Sequence, residues 1–538
     1  MPEVLSDDMS GARRYPFVAL GLLTASILFF WIGKDVAHEL IRKFPKGGEI
    51  IFYTAALFSL CVAYFSPTPN TKLFRLLAGG TGLILAAVAA PVFVGYPVAN
   101  IDFAPLSQRL FLIGPTIVII FGILAYWRPV LLIGCGFFPL VERALVQHIS
   151  GLPISKLDIY PVYEVAIFLG VASAIFAIAH HVCGWMKTWQ LGQHEERFFG
   201  LAWIFALGIH FGNYFYSGVQ KIKIDGPLLS WVMHNETNST ALLSAWFNGR
   251  WMFSQFPEFT TSLVEYLSYT NVPTNIFVLC IQLAAPIAFL RLNWIKIQTV
   301  LYDIMHIAIF VIAGLFFWKW ILLNFAFLLS ARKFDSEKYD LTVKVVGICA
   351  VVLGFNVAQT AKLAWYDTEA VLARTFYAHT DDGREYRVPI SYFLNQGYSV
   401  SHGRFYLDPS SHFPTSPEGN TRFFDVHQAS LKCDFSDLPQ AKAYRKSKEF
   451  TQTNEQTVRF VQAHHKLFNS LSDDGRFNYV LFPFHHLSNP ADYDDFFALD
   501  KRRVTSYSLV TRSLCVYTQD GRLRTKVQHE TRYEIPLN

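Results

Sequence analysis

One stretch of the sequence places five polar side chains on a single face of an otherwise apolar helix. At about 100° per residue, these side chains point within about 60° of one direction. They form what we call the polar stripe: His210, Asn213, Tyr214, Ser217 and Lys221. A lysine shielded from water can lose its proton, and the neutral amine is a competent general base. The stripe predicts a proton-transfer or binding site. The alternative is helix–helix hydrogen bonding, with Lys221 extending its amine to the membrane interface.

A second pair of residues suited to proton transfer lies in another apolar segment. Asp303 and His306 are three residues apart, so they lie on one face of a helix. A carboxylate can orient an imidazole and raise its basicity. The spacing predicts a catalytic or ligand-binding pair, and a structural ion pair is the alternative.

The spacing of histidine and cysteine argues against a metal centre. Adjacent histidines, as at His180-His181 and His464-His465, point to different sides of a helix and cannot easily share one ion. None of the seven cysteines forms a CxxC pair. We therefore expect no metal cofactor. The net charge of +5, without a concentrated basic stripe, does not indicate nucleic-acid binding.

The elements that must position these residues are apolar helices. Of the 538 residues, 52% are hydrophobic and 16% charged, whereas an ordinary soluble domain has about 25% charged residues. Charged side chains are sparse up to about residue 330 and dense after it. This distribution predicts that the first part of the chain lies in hydrocarbon and the second part in water. Apolar stretches that suit a bilayer occur at 16–33, 49–65, 75–97, 109–126, 162–183, 198–220, 272–291, 297–331 and 341–360.

Two stretches predict irregular helices. The stretch 129–147 contains prolines and glycines and predicts a broken or re-entrant helix. The stretch 297–331 is too long for one span and predicts two helices with a turn near Gly314. The predicted fold class is a polytopic α-helical membrane bundle of about nine to eleven spans. Basic residues near span ends favour a cytoplasmic N-terminus, which places the C-terminal part on the periplasmic or lumenal side of a bacterial inner membrane or an endomembrane.

A polar interruption at about 222–271 separates two of the predicted spans. It contains Trp231, Trp246 and Trp251, and tryptophan favours the membrane–water boundary. We expect this segment, the lid, to pack on the membrane surface. The tripeptides that begin at Asn235 and Asn238 are glycosylation sequons, which matter only in a secretory compartment.

The residues from Asp367 onward predict a small water-soluble domain that is α+β or mostly β. Residues 513–527 predict two strands joined by a turn at Asp520-Gly521. The chain thus divides into a multi-span transmembrane domain at 1–366, which includes the lid, and a soluble domain at 367–538. Cys433 and Cys515 form either one disulfide, if this domain faces an oxidising compartment, or two buried thiols.

The sequence around Lys221 resembles a motif of one family of membrane proteins. The segment from Tyr214 to Ile222 has an aromatic helix end, a small residue, glycine, an aliphatic residue, a variable position, lysine and an aliphatic residue. This order resembles vitamin K-dependent γ-glutamyl carboxylases and their bacterial relatives, the HTTM-domain proteins. Trp231, the aromatic run at 246–256 and the Asp303/His306 segment follow in a similar order, so the resemblance covers roughly residues 195–335.

The resemblance implies a carboxylase-like membrane enzyme with reduced vitamin K or a related quinol as cofactor. It implies that Lys221 deprotonates the quinol. In such an enzyme we expect the polar stripe to line the cofactor cavity, with His210, Asn213, Tyr214 and Ser217 beside the cofactor. Asp303 and His306 are further catalytic candidates because of their spacing, although the family's helix differs at both positions. In the family, oxygen then converts the quinol into a strong base, and the vitamin leaves as an epoxide while a glutamate is carboxylated. The family's other catalytic histidine has His180, His181 and His194 as candidates. Quinol oxidation, or carboxylation of a different substrate, is equally compatible.

Two other functions are alternatives to this enzyme. In a non-catalytic lipid-binding or complex-forming membrane subunit, the polar stripe would be packing and the soluble domain would dock a partner. A transporter would need inverted repeats, and the stretch 129–147 has no matching second copy. The expected partners are membrane lipids, a quinone-like lipid and a protein partner or substrate at the C-terminal domain.

Overall fold

The computed structural model describes residues 8–90, 105–150, 158–186, 194–362, 367–396, 423–434, 454–471, 486, 488–519 and 522–537. Up to residue 356 these residues are mostly helical. The helices in chain order are α1 (Asp8–Lys43), α2 (Gly48–Phe65), α3 (Lys72–Ala89), α4 (Pro105–Leu124), α5 (Leu132–Ser150), α6 (Tyr160–Met186), α7 (Glu195–Ile222), α8 (Ser230–His234), α9 (Ser239–Phe247), α10 (Pro257–Ser268), α11 (Asn271–Leu283), α12 (Ala285–Ala288), α13 (Leu292–Ala313), α14 (Trp318–Ala331) and α15 (Leu341–Leu353).

Within the described ranges, six helices are long and apolar enough to cross a membrane. They are Phe17–Lys43, Gly48–Phe65, Lys72–Ala89, Tyr160–Val182, Glu195–Ile222 and Leu292–Ala313. Four further apolar helices have 10–17 residues: Leu112–Leu124, Asn271–Leu283, Trp318–Ala331 and Leu341–Asn356. Among the described residues the six long helices are thus candidate spans, and the number of nine to eleven spans stays a prediction.

The predicted turn within 297–331 is confirmed. Helix α13 ends at Ala313, and Gly314 takes up a left-handed conformation with φ 66°, which glycine adopts without strain. A Cβ atom at this position would lie 2.5 Å from the carbonyl oxygen of Arg250. The turn is therefore also the point where the lid passes close to the helices.

The predicted break within 129–147 is not observed. A short 3-10 turn at Pro129–Leu131 leads into α5, which continues through Pro139 to Ser150. Packing against α2, α4 and α6 holds this helix in place although the proline lacks a backbone donor. The predicted broken or re-entrant helix is thus replaced by one continuous helix over Leu132–Ser150.

Glycines let helices approach one another closely. A Cβ atom on Gly82 of α3 would lie 2.4 Å from the carbonyl oxygen of Gly122 on α4, and the reverse distance is also 2.4 Å. On Gly208 of α7, a Cβ atom would lie 2.4 Å from the Cβ of Ala350 on α15. Small residues at such crossings bring backbones into contact and let dispersion forces hold the helices together.

The lid connects the helices to the C-terminal sheet. It contains α8, α9 and α10, and its side chains share one apolar cluster with the sheet: Leu242, Leu243, Ala245, Trp251, Val264, Val371, Ala373, Leu514 and Val516. Other apolar side chains of the lid, including Phe253, Phe256 and Phe259, are exposed. The lid therefore packs one set of apolar side chains against the sheet and leaves another set exposed.

Both sequons of the lid are buried. The Asn238 amide nitrogen donates to the hydroxyls of Thr270 (2.8 Å) and Thr274 (2.9 Å). The Asn235 side-chain oxygen accepts from the backbone nitrogen of Asp367 (2.6 Å). These amides are used inside the folded protein, so they are not available for glycosylation in the native state.

The C-terminal part contains a four-stranded antiparallel sheet in the order β2-β1-β3-β4. The strands are β1 (Ala370–Thr380), β2 (Glu385–Val388), β3 (Val504–Gln519) and β4 (Arg522–Pro536), joined by the helices α16 (Phe423–Lys432), α17 (Asn454–Leu471) and α18 (Asp494–Ala498). The predicted strand pair is confirmed, with Gln519 opposite Arg522. Asp520 and Gly521 of its turn lie outside the described residues. Cys433 and Cys515 are joined as a disulfide.

We predict that Gly122→Val destabilises the protein. The added side chain would collide with the Gly82 backbone, which cannot move without separating α3 from α4, and overpacking of this kind costs about 1–3 kcal/mol. Gly33→Val is the matched control, because a Cβ atom at Gly33 has nothing within 4 Å. Thermal unfolding of the detergent-solubilised protein measures both. Equal midpoints for the two variants would show that the close crossing does not contribute to stability.

Candidate functional site

Helix α7 carries the polar stripe through the centre of the helical part. Two glutamates, Glu195 and Glu196, lie in its first turn, where negative charge complements the helix dipole. From Phe198 to Gly218 most of its residues are buried, so it is surrounded by protein. All five stripe residues are buried as well. Hence these polar groups find their partners inside the protein.

Asn324 joins the first part of the stripe to Asp303. This residue lies on α14 and has no exposed surface. Its side-chain oxygen accepts from His210 Nε2 at 2.7 Å, and its nitrogen donates to the Tyr214 hydroxyl (3.1 Å) and to Asp303 Oδ1 (2.7 Å). One amide thus connects α7, α13 and α14. We did not predict Asn324 from the sequence, although a lone amide in an apolar segment is a signal for such a role.

Aromatic rings line the same region. Tyr214 stacks on Tyr302 of α13, with ring centroids 3.6 Å apart and planes 6° from parallel. His306 lies 5.1 Å from the Phe317 ring and 5.5 Å from the Trp320 ring, measured between centroids. The structure therefore brings Asp303, His306, His210 and Tyr214 together, as the sequence predicts for a site, and adds flat apolar surfaces beside them.

His210 retains one nitrogen for further interaction. Because Nε2 donates to Asn324, the tautomer places a lone pair on Nδ1. Among the described residues, this buried Nδ1 has no hydrogen-bond partner. Asp303 is half-buried near the middle of α13. The network can therefore accept a hydrogen bond at one end and exchange a proton at the other.

Asn213 and Ser217 have a different task. The Asn213 side-chain oxygen accepts from the backbone nitrogen of Ala361 at 2.8 Å, and its nitrogen donates to the carbonyl oxygens of Ile209 and His210. The Ser217 hydroxyl donates to the Asn213 carbonyl oxygen at 2.8 Å and lies 3.4 Å from that of Ala361. These two residues fasten the chain after α15 to α7, so the stripe is divided between two roles.

Lys221 lies at the far end of the stripe, under the lid. Its side chain is 6% exposed, its Nζ is 3.4 Å from the Ser217 carbonyl oxygen, and it lies 5.0 Å from the centroid of the Trp231 ring. Tyr214 lies seven positions earlier in α7, so the distance between the two residues along the helix axis is about 10 Å. A single ring could not touch Lys221 and His210 together, whereas an elongated lipid could.

The histidines proposed as a further catalytic group are far from Lys221. His194 immediately precedes α7, and His180 and His181 lie exposed near the end of α6, beside the start of α7. From His194 to Lys221 the helix is about 40 Å long. These histidines therefore cannot act in one site with Lys221. The described residues also contain no group of three or more metal-ligating side chains.

The chain matches no known protein family, and no curated protein or solved structure is significantly similar to it. The site must therefore be interpreted from its own residues.

We predict that Asn324→Leu destabilises the protein by about 2–4 kcal/mol, because leucine fills the same space but leaves the groups on α7 and α13 without their shared partner. Asn356→Leu is the control: Asn356 is exposed and donates to the Leu353 carbonyl oxygen, so its loss should cost less than about 0.5 kcal/mol. Thermal and denaturant unfolding in detergent give both values. A similar small effect for the two variants would contradict a central role for Asn324.

Proposed function

We propose that the chain is a multi-pass membrane enzyme that uses Lys221 as a base on a quinol-type lipid. The observation that carries the proposal is the burial of Lys221 under Trp231 at the end of the stripe. An amine inside an apolar region is costly to keep there, and such residues usually serve a function. The resemblance of residues 195–335 to HTTM-domain proteins and vitamin K-dependent carboxylases supports the same role.

The residues of the core suit a flat, weakly polar ligand. A quinol, when bound, supplies an acidic hydroxyl and a planar apolar ring. The rings of His306 and Trp320 provide apolar surroundings, and His210 Nδ1 offers a hydrogen-bond acceptor. In this proposal the quinol ring lies beside Lys221, and the lipid tail follows the stripe past Tyr214 towards His210, and these two residues orient it. Asp303 and His306 are the proposed proton-exchanging groups at the far end of the stripe. Asn213 and Ser217 support the site by positioning α7.

The reaction class follows from the resemblance. We propose oxidation or epoxidation of the quinol, coupled to carboxylation of a substrate as in the carboxylases. A protein or peptide substrate would meet the enzyme at the C-terminal part. In all of these reactions the task of Lys221 is the same, because its neutral amine accepts one proton and becomes an ammonium group.

We also propose that the helices are inserted in a bacterial inner membrane or an endomembrane, with the C-terminal part on the periplasmic or lumenal side. The apolar composition of the six candidate spans supports insertion. The disulfide between Cys433 and Cys515 supports an oxidising compartment for the C-terminal part, since disulfides are rare in the cytosol.

A second candidate function is a non-catalytic, lipid-binding or complex-forming subunit. The bonds of Asn213 and Ser217 to Ala361 favour it, because they show that part of the stripe serves packing. In this case Lys221 would hold the lid through Trp231 and would perform no chemistry.

We predict that Lys221→Ala lowers quinol turnover by about 100-fold or more, as expected when a general base is lost. The measurement is the oxygen-dependent oxidation of reduced vitamin K by the detergent-purified protein, followed by its ultraviolet absorbance. Lys223→Ala is the matched control, because Lys223 lies two residues further and is exposed. Its turnover should stay within about twofold of the original protein.

Three outcomes separate the two functions. Loss of turnover in Lys221→Ala with unchanged thermal stability supports the base. Full turnover in that variant would rule out Lys221 as the base. Saturable binding of reduced vitamin K without any turnover by the original protein would favour the non-catalytic subunit.

A further inference from the structure

A second cluster of titratable side chains lies where the lid meets the C-terminal part. His427 of α16 is 5% exposed, and its Nδ1 is 3.1 Å from Glu369 Oε2, just before β1. The Ser430 hydroxyl donates to the same oxygen at 2.6 Å. A histidine and a serine, one turn apart on α16, thus converge on one carboxylate.

This arrangement determines which nitrogen of His427 can accept a proton. Since Nδ1–H donates to the carboxylate, the lone pair of the neutral ring is on Nε2. Burial would raise the pKa of Glu369, but the hydrogen bonds from His427 and Ser430 outweigh it and hold that pKa below its usual value. Glu369 therefore stays ionised and stabilises the imidazolium that forms when Nε2 takes up a proton.

A second histidine lies against the first. The ring of His234, at the end of α8, has its centroid 4.8 Å from that of His427. Burial and the neighbouring His427 lower the pKa of His234, which disfavours a second positive charge beside His427. From the lid, Glu236 also faces Glu369, and burial raises the pKa of Glu236. The groups around His427 are thus His234, Glu236, Glu369 and Ser430.

The cluster is held close to Lys221. The backbone nitrogen of Phe424, on α16, donates to Asp225 Oδ2 at 3.2 Å, four residues after Lys221. Gly226 has φ 103°, and a Cβ atom there would lie 2.7 Å from the Phe424 ring, so α16 packs tightly on this loop. Helix α8 then carries Trp231 against Lys221 and, one turn later, His234 against His427.

We propose that Glu369 and His427 form a proton-exchange site that passes protons between Lys221 and the water on the C-terminal side. The proposal rests on the proposed function of Lys221. The Lys221 ammonium loses one proton and returns to the amine, and His427 Nε2 gains one proton and becomes imidazolium. His427 then releases the proton to solvent, and Glu369 remains a carboxylate throughout.

The test uses His427→Gln in the full-length, detergent-purified protein. The glutamine amide can still donate to Glu369 and so retain the packing of α16, but it cannot take up a proton. We expect turnover of reduced vitamin K to fall by about tenfold or more at low buffer concentration. Added imidazole should restore it, because a small soluble base can replace the missing ring, whereas it could not repair a structural defect.

His464→Gln is the matched control. His464 is a buried histidine of α17, and its Nε2 lies 2.5 Å from the carbonyl oxygen of Tyr392, within the core of the sheet. Its substitution should leave turnover within about twofold and insensitive to imidazole. Modification with diethyl pyrocarbonate, followed by mass spectrometry, gives a result that does not depend on turnover. The reagent modifies a ring nitrogen with a free lone pair, which is Nε2 in His427, whereas Nε2 of His464 donates to the Tyr392 carbonyl oxygen. We therefore expect His427 to react faster than His464 in the folded protein.

The outcomes distinguish this inference from the proposed function. If Lys221→Ala is inactive while His427→Gln has full turnover that imidazole does not change, the exchange site is wrong and the base remains. If Lys221→Ala keeps full turnover, the proposed function fails and the coupling to His427 fails with it. If the original protein does not turn over, protection of His427 from the reagent overturns the exchange site, and its reaction supports an accessible Nε2.

Discussion

The helical part depends on one constraint: a polar side chain inside an apolar bundle must find its partner within the protein. Burial removes such a group from bulk water, and an unpaired buried charge costs several kcal/mol. Lys34 of α1 meets Glu164 of α6 at 3.3 Å, and its amine also donates to the Val357 carbonyl oxygen at 2.6 Å. Asp158 accepts from both Arg143 and Lys319. The contacts of Lys34 and Lys319 join elements that are more than 100 residues apart in the chain.

The same constraint explains the division of the polar stripe. His210 and Tyr214 share Asn324 with Asp303, and this sets the positions of α7, α13 and α14 relative to one another. One turn away, Asn213 and Ser217 satisfy the backbone at Ala361. The stripe therefore consists of two parts: the network around Asn324, and a structural joint to the chain near Ala361.

The lid gives the C-terminal part a larger role than its position in the chain suggests. Trp251 and its neighbours belong to one apolar cluster with β1 and β3. The Asn248 side chain also forms hydrogen bonds with the backbone of Leu372 and Arg374, in the part of β1 that β2 does not cover. Helix α16 rests on the loop that follows Lys221. Groups from the C-terminal part thus lie next to the end of the stripe, so a movement of α16 would also displace the loop that follows Lys221.

The sequence by itself determined the local features: a long helix with polar residues in register, the turn at Gly314 and the pairing of β3 with β4. These depend on periodicity and on neighbouring residues, which a sequence displays directly. The tertiary structure decided which polar groups meet. Asn324 is more than 100 residues from His210, and His427 reaches His234 across nearly 200 residues. Such pairs arise only when helices pack, because spacing along the chain carries no information about which distant faces come into contact.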